Sequence, residues 1–96
     1  MSATRIIVER LRRRDGQRCW LCHEPIKFDA EPNSSLAPSL EHLLARCLNG
    51  PDVDSNLVLC HAKCNRLLGC RPLTHKIKLR ERRRKKLWKS ALGIKA

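Results

Sequence analysis

The chain has 96 residues, a formal net charge of +12, and only three residues of the Phe, Trp and Tyr class: Trp20, Phe28 and Trp88. A chain of this length forms one small domain, whose hydrophobic core is marginal without added metal or disulfides. The scarcity of aromatic side chains argues against a base-stacking platform for single-stranded nucleic acid. No stretch is long and apolar enough to span a membrane, so no membrane partner is expected.

The positive charge is concentrated towards the C-terminus. Residues 1–70 contain 10 Lys and Arg against 8 Asp and Glu, whereas residues 71–96 contain 11 basic residues and one acid, Glu81. We therefore predict a near-neutral folded domain over 1–70 and a basic C-terminal helical extension over 71–96. Such an extension favours a polyanionic partner, with nucleic acid as the first choice. A solvated tail and a contact with anionic lipid are the alternatives.

The cysteine content indicates metal binding. Residues 1–14 lack the continuous apolar run of a signal peptide. We therefore expect a cytoplasmic protein, where thiols stay reduced. Six cysteines in that setting favour a metal site over disulfides.

The first half of the chain predicts one helix and a strand. Residues 4–14 are expected to be helical because Ile7 and Leu11 lie four positions apart on one face. Asp15-Gly16 ends this helix as a turn. Residues 24–39 are loop-like, and residues 40–44 form a candidate strand.

The second half predicts a strand and two helices. Asn49-Gly50-Pro51-Asp52 indicates a turn, and Leu57-Val58-Leu59 a strand. A helix is expected over 62–68, ended by Gly69 and Pro72. A last helix is expected over 73–92, with Gly93 as its C-terminal cap. Its apolar residues are expected on one side: Leu73, Ile77, Leu87, Trp88, Ala91 and Leu92.

Four residues have the spacing of a structural zinc site. Cys19 and Cys22 form a knuckle pair, and His61 and Cys64, three apart at a helix start, converge on one point. Cys60 competes with His61, but in a strand its side chain points the opposite way. We predict a tetrahedral zinc ion without which the chain is largely unfolded.

The remaining two cysteines, Cys47 and Cys70, have no partner at knuckle spacing. We expect them to be small buried apolar residues.

A second set of polar residues lies between the two cysteine pairs. Together, the segments Leu40-Glu41-His42-Leu43, Asp54-Ser55-Asn56-Leu57-Val58-Leu59 and His61-x-x-Cys64-Asn65-Arg66 resemble an HNH nuclease of the zinc-supported, ββα-metal type. Arg18-Cys19-Trp20-Leu21-Cys22 is similar to that family's N-terminal knuckle. The resemblance covers about residues 10–70.

The resemblance implies a role for each matching residue. His42 corresponds to the general base, Asn56 to the asparagine that braces the loop and orients that histidine, and Asn65 to a ligand of a divalent metal. Glu41 stands where an aspartate usually provides the other ligand. Histidine suits base chemistry because its pKa is about 6.5, and carboxylate and amide oxygens suit Mg²⁺ or Mn²⁺. Taken singly, these residues also fit surface, capping or solvent-facing positions.

The resemblance thus implies an α+β fold: a small ββα-metal core with a structural zinc knuckle, flanked by an N-terminal helix and a basic C-terminal helix. The expected function is metal-dependent cleavage of double-stranded DNA, leaving 5′-phosphate and 3′-hydroxyl ends, in a bacterial cell or a phage-infected host. Cleavage of both strands by so small a site favours a homodimer. Backbone phosphates are expected to contact six basic residues: Arg66, Lys76, Arg80, Arg83, Arg84 and Lys86.

Two other functions fit the same sequence. A non-catalytic zinc knuckle that binds DNA or RNA requires the cysteines and the basic extension, but not Glu41, His42 or Asn65. An assembly factor would instead dock its basic extension on an acidic protein.

Overall fold

A two-stranded antiparallel sheet lies between helices in this chain, whose computed structural model describes residues 3–93. Within those residues the fold is α+β, with three α-helices and two strands. In chain order the elements are α1 (Ala3–Asp15), β1 (Pro38–His42), β2 (Leu57–His61), α2 (Ala62–Leu68) and α3 (Leu73–Ala91). Two short 3-10 helices, Arg46–Leu48 and Asp54–Asn56, lie in the loop between the strands.

The two strands pair in a register that runs from Pro38 opposite His61 to His42 opposite Leu57. All five residues of β2 are buried, so this strand forms the centre of the core. The first strand begins and ends two residues earlier than the predicted range of 40–44. Beyond His42, the N–H of Leu43 still donates to the carbonyl oxygen of Asn56, but the N–H of Leu44 donates to the Asn56 side chain, where the strand pairing stops.

Helix α1 confirms the prediction for residues 4–14 and packs on the sheet. Leu11 is fully buried in the core, and Ile7 and Val8 pack against the same cluster. Asp15 ends the helix, and Gly16 adopts a φ of +88°, a left-handed conformation that glycine reaches without strain.

Helix α2 occupies the predicted residues 62–68 and follows β2 without a loop. Cys64 and Leu68 are its buried residues. The helix ends where Gly69 adopts a φ of +47° and its amide donates to the carbonyl oxygen of Asn65. Because His61 is both the last residue of β2 and the N-cap of α2, the strand fixes where the helix begins.

Helix α3 spans nearly the predicted range, and much of its predicted apolar side faces solvent. Large apolar residues of that side are exposed, among them Ile77 and Trp88. The helix instead contacts the rest of the protein through Lys76, which is fully buried, and through Leu79 and Arg80. Leu79 and Arg80 lie three and four positions after Lys76, and this spacing places all three on one helix face. Gly93 has a φ of +72°, as expected of a residue that follows a helix end.

The prediction for Cys47 and Cys70 is also wrong. Both residues are exposed, and they form a disulfide whose Cα atoms are 6.1 Å apart. The bond joins the 3-10 helix after β1 to the connection between α2 and α3. Sequence spacing gave no sign of it because the two cysteines are 23 residues apart and meet only when the helices pack.

None of the helices within residues 3–93 combines the length and the apolar character needed to cross a membrane.

Candidate metal centre and neighbouring polar cluster

Cys19, Cys22, His61 and Cys64 offer four ligand atoms that all lie within 4.8 Å of one another. The turn after α1 supplies the first two, the end of β2 supplies His61, and the first turn of α2 supplies Cys64. The span is close to that of a tetrahedral site with zinc–sulfur bonds of about 2.3 Å. The four residues predicted as zinc ligands are therefore brought together and positioned to hold a metal ion.

Hydrogen bonds orient the His61 ring for metal binding. Its Nε2–H donates a hydrogen bond to the carbonyl oxygen of Pro25, and the two atoms are 2.8 Å apart. The other nitrogen, Nδ1, lies 3.3 Å from the sulfur of Cys22 and 3.9 Å from that of Cys64. A histidine ligand commonly donates its second ring N–H to a carbonyl in this way, which directs the free lone pair to the metal. The donor set fits a structural zinc ion.

Cys60 lies beside the cluster but is not one of the four ligands. Its thiol donates a hydrogen bond to the sulfur of Cys19, and this bond, together with burial, raises the pKa of Cys60. The same bond lowers the pKa of Cys19, with a further contribution from Cys64. The backbone N–H of His61 also donates to the Cys19 sulfur, at 3.4 Å. Cys19 is thus favoured as a thiolate and Cys60 as a neutral thiol.

Glu41 is buried against a lysine. Its Oε1 lies 2.6 Å from Nζ of Lys76, which also donates to the carbonyl oxygen of His42 at 2.6 Å. Only 3% of the Glu41 side chain and none of the Lys76 side chain is exposed. Burial raises the pKa of Glu41, and the bond to the Lys76 ammonium opposes that shift. Lys76, predicted to contact a DNA phosphate, is wrongly assigned because it faces the interior in an ion pair.

His42, at the end of β1, is oriented by an aspartate that the sequence did not single out. The ring Nε2 lies 2.6 Å from Oδ1 of Asp52, and 17% of the His42 side chain is exposed. Asp52 also contacts Arg46 at 3.1 Å. The bond to His42, followed by the bond to Arg46, lowers the pKa of Asp52. The one sequence signal for this contact was the turn at residues 49–52, which can fold back on the strand that precedes it.

Asn56 closes the loop between the strands. Its Oδ1 accepts a hydrogen bond from the N–H of Leu44 at 2.9 Å. Its Nδ2 donates to the carbonyl oxygens of Leu44 and Pro51, at 3.1 and 3.0 Å. The side chain thus joins the residue two after His42 to the residue before Asp52.

Asn65 connects α2 to β1. Its Nδ2 donates to Oγ of Ser39 at 2.7 Å and to the carbonyl oxygen of Leu40 at 2.8 Å. Because both donor hydrogens are used, the amide orientation is fixed. Its Oδ1 accepts no hydrogen bond from the part of the chain that the structure describes.

The other residues predicted to contact DNA differ in their surroundings. Arg66, Arg83, Arg84 and Lys86 are exposed. Arg80 is half-buried, since its Nε donates to the carbonyl oxygen of Trp20 at 2.8 Å and its guanidinium lies 4.8 Å from the centre of the Trp20 ring.

Comparison of the chain with protein-family models, with curated proteins and with solved structures gives no match.

Proposed function

We propose that this chain is a metal-dependent endonuclease of the HNH type, which hydrolyses phosphodiester bonds of double-stranded DNA. The observation that carries the proposal is the arrangement of His42. Its ring is partly exposed at the end of β1 and bonds to Asp52, and Asn56 bonds the loop between these two residues. An imidazole oriented by a carboxylate is the arrangement of a general base.

The roles follow from the hydrogen bonds. With Nε2–H donating to Asp52, Nδ1 of His42 carries the lone pair that accepts a proton from the attacking water. The Asp52 carboxylate stabilises the imidazolium that this transfer creates. Asn56 restrains the loop and thereby the distance between the two partners. The products of this hydrolysis carry 5′-phosphate and 3′-hydroxyl ends.

Glu41 and Asn65 are the proposed holders of a Mg²⁺ or Mn²⁺ ion. Both offer hard oxygen ligands of the kind these ions prefer. Lys76 bonds to one carboxylate oxygen of Glu41, and Oε2 accepts no hydrogen bond from residues 3–93. Asn65 likewise has Oδ1 available. When bound, such an ion neutralises charge on the scissile phosphate and stabilises the leaving oxygen.

The zinc cluster supports the same region in this proposal. His61 ends β2 and Cys64 lies in the first turn of α2, directly before Asn65. A metal held by these ligands fixes the angle between β2 and α2. Residues adjacent on a helix point about 100° apart, so Cys64 can face the zinc while Asn65 faces β1.

A non-catalytic zinc module that binds DNA or RNA is the second candidate. The Lys76–Glu41 pair favours it, because a carboxylate already neutralised by a buried ammonium does not require a metal ion. The two candidates differ in whether the protein cuts DNA.

Cleavage of a supercoiled plasmid by the zinc-loaded protein, with Mg²⁺ and Mn²⁺ in turn, tests the proposal. We expect nicking that falls at least about 10²-fold in His42→Ala, the usual contribution of a general base. His75→Ala is the matched control, since His75 is an exposed histidine on α3 and should retain full activity. DNA binding without cleavage in every metal would leave the binding module as the better function. Equal activity in both variants would remove His42 as the base.

A further inference from the structure

A cavity of about 470 Å³ opens beside the knuckle, where the end of α1, the turn at Cys19, β2 and α3 meet. The charged residues that line it are Arg14, Asp15, Arg18 and Arg80, and its aromatic lining is Trp20 and His23. Three arginines and one aspartate leave a net charge of +2 before His23 is considered. A concave site of this sign attracts an anion.

Two of the three arginines keep most of their donors available. Arg14 is engaged, because it bonds to both carboxylate oxygens of Asp15 and to the carbonyl oxygens of Asp54 and Leu57. Arg18, in contrast, makes one hydrogen bond, to the carbonyl oxygen of His23 at 2.9 Å. Arg80 uses only its Nε, and no carboxylate of residues 3–93 forms an ion pair with either arginine. A guanidinium has five N–H donors in a planar fork that matches two phosphate oxygens.

The polar lining includes one unsatisfied group. Nε2 of His23 is buried and has no hydrogen-bond partner. Buried side-chain nitrogens of native proteins are nearly always hydrogen-bonded, so an unpaired one requires an explanation. An oxygen-rich anion held by Arg18 and Arg80 would supply an acceptor for it. The half-buried ring of Trp20, covered by the Arg80 guanidinium, also lines the cavity.

We propose that this cavity binds one backbone phosphate of duplex DNA, with Arg18 and Arg80 as the two guanidinium ligands. The choice of DNA as the polyanion depends on the function proposed above. The cavity lies next to the proposed catalytic loop, because its lining also includes Leu43 and Ser55, the chain neighbours of His42 and Asn56. A phosphate fixed here would position the strand relative to His42 without reading its sequence.

Two-dimensional ¹H–¹⁵N NMR of the zinc-loaded protein tests the site through its two indole N–H signals. Trp20 lines the cavity, whereas Trp88 is 66% exposed near the end of α3 and serves as the reference in the titration with inorganic phosphate. The titrants are inorganic phosphate and, without divalent ions, a short DNA duplex. We expect both to shift the Trp20 signal, the duplex at a concentration at least tenfold lower than that of phosphate. Equal shifts of Trp20 and Trp88 by phosphate, or no Trp20 shift by a duplex that binds, would overturn the proposal.

Charge removal provides the second measurement. In Arg18→Gln and in Arg80→Gln, the Trp20 shift should disappear. The negative slope of log affinity against log salt should also become shallower by about 0.9, the value for one lost phosphate contact. The control is Arg13→Gln, which removes an exposed arginine outside the cavity and should keep the Trp20 shift. Unchanged slopes in both cavity variants would contradict the proposal.

The NMR and plasmid assays separate this site from the proposed function. A selective Trp20 shift in a protein that never cuts DNA would retain the phosphate site and reject the nuclease. Plasmid cleavage without a Trp20 shift on DNA binding would retain the nuclease and reject the phosphate site.

Discussion

Lys76 on α3 donates a hydrogen bond to Glu41 on β1 across 2.6 Å, and both side chains are almost completely buried. The two residues are 35 positions apart, so the pair attaches the basic helix directly to the strand that ends in His42. A second bond, from Lys76 to the carbonyl oxygen of His42, reinforces the attachment. The helix that carries most of the net positive charge is therefore attached directly to the strand that holds the candidate catalytic residues.

Replacing Lys76 by methionine tests the contribution of this pair to stability. Lys76→Met keeps the apolar stem but leaves Glu41 buried without a counter-charge, which should cost about 3–5 kcal/mol of unfolding free energy. Urea denaturation of the zinc-loaded protein measures the loss. Lys78→Met, at an exposed position of the same helix, should change stability by less than about 0.5 kcal/mol. Similar losses in the two variants would mean that the buried pair does not secure α3.

Metal removal should unfold the protein. A structural zinc ion contributes about 10–16 kcal/mol of apparent binding free energy, which exceeds the usual net stability of a small domain. A strong chelator should therefore abolish the far-UV circular dichroism signal of the folded chain and its cooperative thermal transition. If both remained unchanged after the metal had been removed, the structural role of zinc would be refuted.

Two cysteine variants distinguish a zinc ligand from its neighbour. Cys22→Ser should lose the bound zinc, because it removes one of the four ligands. Cys60→Ala should retain one zinc per chain, because Cys60 is not one of the four clustered ligand residues. Elemental analysis of the purified proteins gives the ratio of metal to chain. Zinc loss in Cys60→Ala with retention in Cys22→Ser would reverse the assignment.

Asp52→Asn should impair catalysis without impairing binding. The amide keeps the size of the side chain but cannot stabilise a protonated His42, so nicking should fall by about 10²-fold or more. Plasmid nicking measures the effect, and a gel-shift assay at constant salt measures DNA affinity. Asp29→Asn, at an exposed loop position, is the control with the same chemical change. Full activity in Asp52→Asn would show that the hydrogen bond between Asp52 and His42 has no catalytic role.

The disulfide should add stability that is independent of zinc. The Cys47–Cys70 bond closes a loop of 23 residues, which corresponds to roughly 3 kcal/mol in the chain-entropy account. The double variant Cys47→Ser/Cys70→Ser should lose about that amount in urea denaturation and keep its metal. A thiol assay on the denatured wild-type protein should find four free cysteines rather than six. Six free thiols in freshly purified protein would mean that the bond does not form in solution.

Several elements followed from local sequence patterns alone. The end of helix α2 was predicted because Gly69 can adopt the positive φ of a helix end and Pro72 cannot continue a helix, and both effects act within a few residues. The zinc ligands were predicted equally well, because Cys19 with Cys22 and His61 with Cys64 each have a three-residue spacing that brings two ligand atoms together. In both cases the residues that determine the structure lie close together in the sequence.

The tertiary structure alone determined the contacts between distant residues. The pairing of Lys76 with Glu41, the disulfide between Cys47 and Cys70 and the contact of Asp52 with His42 connect segments that only chain folding brings together. The sequence predicted Lys76 as a contact for a DNA phosphate, because lysine is usually exposed, and a single buried counter-charge can reverse that preference. Sequence thus determined which local elements form and which ligands each can offer. The packing of α3 on the sheet determined which charges remain available to a partner.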